Sequence, residues 1–347
     1  MHGDIQAASQ IPPNNPKLAS EAPPWWRLIW PQEWLFLVFI ACLVTLSLVY
    51  RAKLPLLGTL TREAGPLLLS TALIMSFCFT RWPSSQAGKV PLQVTSSRAA
   101  ATAYGLRVAF PPLAALFTYT TLSDLVPQVR HSLADPVLIS MDHALFGTDV
   151  SRWLNDQIGS PAVTLVLALC YWCCAWPQFL YSVYLYRQST RRYQEFQLGL
   201  TIIYVVGYSF YILVPAVGPH LYQDSLFPDP LAVDGTFGGG LIASIEAAQG
   251  TARDVFPSLH TALTILLLIF SWNWSRRLFW CFLPVGLLLL LATQYLRVHY
   301  FVDLLAGLFL AAFAASLARV IVRYWFPPGI DRTYPHPLVQ SHADVAR

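Results

Sequence analysis

The sequence predicts an all-α protein, a polytopic membrane bundle of about eight transmembrane helices with an interfacial helix and an outer-face active site. Three observations carry this prediction. Hydrophobic residues make up 55% of the chain and charged residues 12%, about half the charged share of an ordinary soluble domain. A mean hydropathy of +0.49 over 347 residues exceeds what one buried core absorbs, so surface must face lipid as well. Long apolar runs recur near the ~20 residues that cross ~30 Å of hydrocarbon. The 12 Trp and 16 Tyr suit the membrane interface, where a ring stays apolar and one polar atom stays wet. Together these exclude an ordinary soluble domain, a basic nucleic-acid binder and a disordered scaffold.

Residues 1–33 are Pro- and Asn-rich at their start and read as a mobile cytoplasmic tail. The first apolar run, Trp34 to Tyr50, begins late for a signal peptide. Arg51 and Lys53 follow it instead of a small-residue cleavage site, so it reads as a retained helix. Ala64 to Thr80 and Tyr104 to Ser123 complete an N-terminal set, 34–123, of unassigned role. Arg107, Pro111 and Pro112 interrupt the start of its third run. An outer segment follows, Asp124 to Ser160. Its apolar piece, Pro136 to Phe146, carries Asp142 and His143 and is too short to span, so it reads as interfacial.

Pro161 to Leu185 and Leu198 to Val214 are the next spans. A second long outer segment, Pro215 to Pro257, contains Gly238, Gly239 and Gly240. Loops of this length are often functional. Leu259 to Trp272, Leu278 to Leu296 and Phe301 to Val322 are the last spans, and 326–347 read as a cytoplasmic tail. With the N-terminus inside, 14 Lys and Arg fall on inner segments and seven on outer ones, as the positive-inside rule requires. The six cysteines, Cys42, Cys78, Cys170, Cys173, Cys174 and Cys281, all lie in apolar stretches. Plain helix packing accounts for them better than a zinc or redox site.

Ionisable residues at membrane depth are costly and mark functional sites. They cluster late in the chain. Arg253, Asp254, Ser258 and His260 precede or open the sixth span. Arg297, His299 and Asp303 lie at the junction of the seventh and eighth. Two spans separate the groups, so both reach the outer face.

In Phe256-Pro257-Ser258-Leu259-His260, Pro257 fits a first helical turn, where its missing N–H is not needed. The free N–H groups there, near Leu259, make an anion site, and Ser258 adds a hydroxyl donor. The plainer account is a capped helix with an interfacial His. In Arg297-Val298-His299-Tyr300-Phe301-Val302-Asp303, His299 and Asp303 share one face if the helix starts near His299. A carboxylate on one imidazole nitrogen leaves the other free as nucleophile or base. Arg297 offers a planar fork suited to phosphate oxygens. The plainer account here is a helix-terminal salt bridge.

These two motifs resemble the second and third signatures of the type 2 phosphatidic acid phosphatase superfamily. Leu259 before the His, and the run His299 to Asp303, resemble its inositol phosphorylceramide synthase branch. Asp135 to Leu154, with Asp142, and Val214-Pro215 to Gly218-Pro219 are similar to that branch too. The resemblance covers roughly residues 130 to 322 and implies a phosphatase or phosphotransferase core over 124–325. It implies that His299 attacks phosphorus and forms a phosphohistidine, that Asp303 orients it, and that His260 protonates the leaving alcohol. Ser258, the N–H groups near Leu259, and Arg297 would hold the phosphoryl oxygens. No metal or other cofactor is implied.

The superfamily's first motif, a Lys followed by Arg-Pro, is absent. Arg253 is a candidate replacement cation, and His220 and Asp142 are candidate substrate contacts. The expected partners are a lipid phosphate or phospho-headgroup lipid and the bilayer, with no nucleic acid. The expected location is a bacterial inner membrane, with the site facing the periplasm. Two rival readings stay open. His260, His299 and Asp303 could bind zinc in a metal-dependent hydrolase. A transporter could use buried His, Asp and Arg as a relay.

Overall fold

The computed structural model describes residues 30–51, 98–249 and 253–325. The chain divides into two units, Met1–Trp30 and Pro31–Arg347, and everything below concerns the second. The span expected at Ala64 to Thr80, together with Cys78, lies outside the described residues.

Helix α1 is Pro31–Tyr50, α2 Arg98–Val129, α3 Asp135–Phe146 and α4 Val150–Ile158. Helix α5 is Pro161–Trp172, α6 Ala175–Gln188, α7 Thr190–Leu213 and α8 Pro219–Tyr222. Helix α9 is Gly235–Gln249, α10 Leu259–Trp274, α11 Arg276–Tyr295 and α12 Phe301–Trp325. No strand occurs among the described residues. The fold is all-helical and of membrane type.

Four of these helices are long and apolar enough to cross a membrane, α1, α7, α11 and α12. The pair α5–α6 makes a fifth if it counts as one span. That is fewer than the eight read from hydropathy. Helix α10 is apolar but has only 16 residues. Helix α2 is long, but Pro111, Pro112 and Pro127 lie within it, and it is not among the membrane-length apolar helices. The run Pro161 to Leu185 bends by 41° at Cys173–Cys174. Helix α7 starts at Thr190, earlier than Leu198, because its polar first turns are paired within the bundle. There Gln194 accepts from Gln32 Nε2 at 2.7 Å, Gln197 Nε2 donates to Ser182 at 2.9 Å, and Arg191 bonds Glu195. The outer segment from Pro215 is also more ordered than a loop, since α9 runs through its three glycines.

Helices α7, α10 and α12 pack on one another at the centre. Helices α1 and α2 lean on α7, α5 leans on α11, and α3 leans on α12. The main core joins Phe196, Ile203 and Tyr211 of α7, Leu266 and Phe270 of α10, and Ala311, Ala314 and Ala318 of α12. Small residues on α12 let backbones approach closely, which is how helices gain packing without a hydrophobic drive. Gly307 is one of the tight points. A Cβ there would stand 2.5 Å from the Ser258 carbonyl oxygen and 2.9 Å from Thr261 Cβ. That approach sets the N-terminus of α10 beside the first turns of α12. Apolar rings face outward around the bundle, among them Trp172, Trp176 and Trp280.

Candidate active site

Helix α10 begins at an N-cap. Ser258 accepts from the Thr261 N–H at 3.3 Å, and its side chain is fully buried. Pro257 therefore lies just before the cap, outside the first turn expected for it, and its peptide bond to Phe256 is cis. The cap consumes the Ser258 hydroxyl as an acceptor. The Ser258 N–H donates to the Asp303 carbonyl at 3.1 Å, so the start of α10 is bonded to the first turn of α12. His260 is thereby placed one residue into α10 and turned towards the loop before α12.

That loop is shaped by the end of α11. Arg297 N–H donates to Gln294 O and Val298 N–H to Thr293 O, both at 3.1 Å. Arg297 sits at φ 63°. This is the Schellman pattern with an arginine where glycine is usual, a left-handed conformation costing about 1–2 kcal/mol for an L side chain. The turn throws His299 back under the bundle, where it is 2% exposed. Gln294 Nε2 donates to the His299 carbonyl at 3.1 Å and holds the bend.

The two imidazoles meet. His260 Nδ1 stands 3.3 Å from His299 Nε2. On the other nitrogen, His299 Nδ1 is 3.4 Å from Asp303 Oδ2. That separation is an ion-pair distance without hydrogen-bond alignment, and such contacts tighten when substrate binds. Asp303 Oδ2 also accepts the Tyr300 N–H at 2.8 Å, a backward reach that caps α12. His299 thus precedes α12 instead of lying within it, and it meets Asp303 through this cap. Burial lowers the His299 pKa from 6.5 to about 4, against the opposing charge of Asp254 and a hydrogen bond to the Val255 backbone. The ring is neutral at neutral pH. In the tautomer protonated at Nδ1, its Nε2 carries the lone pair and can accept from His260 Nδ1.

Tyr171, at the end of α5, packs on His260 with ring centroids 4.7 Å apart. Gln249 lines a cavity of about 270 Å³ that also takes in His220, Asp224, Phe227, Glu246 and Arg297. Arg297 donates Nε to Asn155 Oδ1 at 2.7 Å and Nη1 to the Asp229 carbonyl at 3.2 Å, and covers Phe227. Burial lowers its pKa.

The candidates therefore separate into groups. His260, His299, Asp303, Ser258 and Leu259 are gathered where the starts of α10 and α12 meet. Arg297 and His220 stand on the cavity wall, linked by the His220 N–H to the Arg297 carbonyl at 2.8 Å. Arg253 is bonded to the carbonyl of Arg130 and is not in this group. Both Asp142 oxygens are taken, accepting from Phe301 N at 2.7 Å and Val302 N at 2.9 Å, so α3 caps α12. Asp303 and His260 sit on opposite nitrogens of His299, so the three do not converge on one point. Among the described residues no group of three His, Cys, Asp or Glu is arranged to hold a metal ion.

Asp135 was not foreseen. Fully buried, it accepts from Gly218 N at 2.9 Å, from Val217 N, and from the Tyr300 hydroxyl at 2.9 Å. It ties α3 to the loop at Pro215 and to the His299 loop, and burial raises its pKa. Gly218, at φ 83°, completes this joint; a Cβ there would stand 2.5 Å from the Val298 carbonyl oxygen.

The described residues form a helical bundle of membrane type, with two facing imidazoles and a carboxylate behind one of them, an arrangement that can accept and pass on a proton. The chain belongs to the PAP2 superfamily, whose profile matches residues 136–317. The chain is also similar to a PA-phosphatase related-family protein of Dictyostelium discoideum, 32% identical over 108 residues. That match takes in 30% of this chain and spans about a fifth, 19%, of the relative's length. No solved structure matches.

Proposed function

We propose that the protein is a lipid phosphatase or lipid phosphotransferase that works through a metal-free phosphohistidine on His299, at the outer face of a bacterial inner membrane. The observation that carries this is the contact between His260 Nδ1 and His299 Nε2, with Asp303 on the opposite nitrogen. The nitrogen left free by Asp303 is the one that faces a proton partner.

In the first step the Nε2 lone pair attacks phosphorus. The bond from phosphorus to the alcohol oxygen breaks, and His260 delivers a proton to that oxygen. The imidazole becomes cationic, and Asp303 holds the Nδ1 proton. In the second step water or a lipid alcohol attacks phosphorus and gives its proton to His260. The N–P bond breaks and His299 returns neutral. The direct imidazole contact must open to admit the phosphoryl group. Free N–H groups at the start of α10 are placed to receive its oxygens. Arg297 and His220, on the cavity next to Gln249, are placed to take a polar headgroup. The likeness of residues 297–303 to the inositol phosphorylceramide synthase branch favours transfer over release.

The test is product formation by detergent-purified protein on a panel of lipid phosphates and phospho-headgroup lipids, with excess chelator and with His299→Ala alongside. Chelator-resistant turnover that vanishes in the variant is expected, and the product lipid separates phosphatase from transferase. Turnover lost to chelator would replace this reading with a metal-dependent hydrolase.

A further inference from the structure

Asn155 lies on α4, outside both histidine motifs, and is half-buried. Its Nδ2 donates to the Tyr295 carbonyl at 2.8 Å, and its Oδ1 accepts from Arg297 Nε at 2.7 Å. Arg152, three residues earlier on the same face of α4, donates Nη1 to the Leu226 carbonyl at 2.8 Å. The residue after Leu226 is Phe227, whose ring centroid is 4.3 Å from the Arg297 guanidinium carbon. The Asp229 carbonyl, in the same segment, accepts from Arg297 Nη1 at 3.2 Å. One face of α4 thus holds the guanidinium directly, and also holds the segment on which it lies.

We propose that Asn155 is a positioning residue that holds the Arg297 guanidinium open to the cavity without neutralising it, which makes α4 a working part of the site. This rests on the reading above, in which Arg297 takes a substrate headgroup. The partners of the guanidinium are an amide, a backbone carbonyl and a ring. All three are uncharged, so the positive charge stays available to a substrate oxygen. Nη2 has no protein hydrogen bond among the described residues, and Arg297 lines the cavity together with Asp224 and Glu246. A guanidinium released by Asn155 has those two carboxylates to fold onto. The backbone of Arg297 points the same way. It keeps a left-handed conformation at φ 63°, where glycine is usual, and a side chain retained in a strained conformation points to function. The plainer role of Asn155 is to cap α11, since the Tyr295 carbonyl is in the last turn and lacks a helical donor. The two bonds of one amide join these roles: they place Arg297 against the end of α11, and so against His299 two residues on.

The experiment uses full-length protein with Asn155→Leu, Asn155→Asp and Phe227→Leu. Modification of Arg297 by phenylglyoxal, read by mass spectrometry in detergent without substrate, reports how freely the guanidinium moves. KM and kcat are read on the phospho-headgroup lipids, beside nitrophenyl phosphate, which carries no headgroup.

Asn155→Leu is expected to raise the modification rate several-fold. It should raise KM for a phospho-headgroup lipid roughly tenfold, the scale of one hydrogen bond to a charged group. The effects on kcat and on nitrophenyl phosphate should be smaller. Asn155→Asp keeps an acceptor for Arg297, pairs its charge and loses the donor to Tyr295. Modification should then stay near the wild-type rate while KM still rises. Phe227→Leu leaves the end of α11 untouched and should raise the rate by less; it carries the test if Asn155→Leu does not fold. An unmoved rate in folded Asn155→Leu, or in Phe227→Leu where that variant carries the test, overturns the proposal. So does a rate in Asn155→Asp as high as in Asn155→Leu, which would leave Asn155 only as the cap of α11. A raised rate with KM unmoved overturns the headgroup reading of Arg297. A wild type inactive on every lipid overturns the phosphohistidine reading instead, and the modification rates still decide whether Asn155 holds Arg297.

Discussion

His299 turns Nδ1 to Asp303 and Nε2 to His260, so its two nitrogens face different partners. The site depends on that division. In the proposed mechanism the neutral ring is the nucleophile, and burial keeps it neutral down to about pH 4. The acid limb of kcat/KM should therefore lie near pH 4, well below the 6.5 of a free imidazole, and pH profiles of the wild type check this. The same shift governs stability. Between 6.5 and about 4 the unfolded chain binds a proton that the native chain refuses, so stability rises with pH across that window. It is lost as pH falls, and melting in detergent at about pH 7 and about pH 5 should show the drop. For His260 the expectation concerns the leaving group. His260→Ala should reduce turnover of an alkyl phosphate roughly 100-fold or more. It should reduce turnover of a nitrophenyl phosphate much less, because nitrophenolate leaves without a proton. Equal losses on both substrates would remove the acid role.

At the scale of elements, the reactive residues are held by joints between helix ends. Helix α10 is bonded to α12 by Ser258 N–H and Asp303 O, α12 is capped by Asp142 of α3, and α3 is tied to the His299 loop by Asp135. Gly307 permits one of these close approaches. Gly307→Val should force α12 away from α10 at a cost of about 1–3 kcal/mol. It should separate the two imidazoles as well. The expected result is a lower melting temperature in detergent, with a loss of turnover larger than the fraction unfolded accounts for. Unchanged turnover in a folded variant would show that this approach does not position His260. Helix α5 contributes from the other side. Its bend at Cys173–Cys174 ends the helix where Tyr171 packs on His260, and the cysteines at the break, Cys170, Cys173 and Cys174, are free.

At the scale of the molecule, the central question is orientation. The two histidine motifs are separated by α10 and α11, which lead away from one end of the bundle and back to it. With 14 of the basic residues on segments read as inner, the histidine end should face outward. Reporter fusions test this. A fusion in the turn after Trp274 should report the cytoplasm, and one in the segment between α3 and α5 should report the outer side. Both reporters on one side would contradict the arrangement.

Much of the fold was legible because lipid imposes a simple rule: a crossing helix must be long and apolar. That rule located α1, α11 and α12 almost to their ends. It missed the start of α7, where Gln194, Glu195 and Gln197 are buried by pairing. It missed α9 as well, because glycines argue against a helix interior. It measures apolarity and not whether a proline-bearing or short helix crosses, and among the described residues four helices, or five with the bent pair, are long and apolar enough. Within the site, His260, His299 and Asp303 stood out because titratable groups at helix starts in apolar sequence are costly and therefore conspicuous. Asp135 and Asn155 did not, because a polar residue in an outer segment has the same local pattern whether it is solvated or buried.

The sequence by itself determined the class of molecule and the place of His260, His299 and Asp303 at or beside helix starts, because these follow from local composition and spacing. Only the tertiary structure decided which nitrogen faces which partner, that Asp142 caps α12, that Arg297 turns to Asn155 and Phe227, and that Asp254 shares a crevice with Tyr119. Those depend on distances between segments far apart in the chain, and such distances are set by how helix surfaces pack.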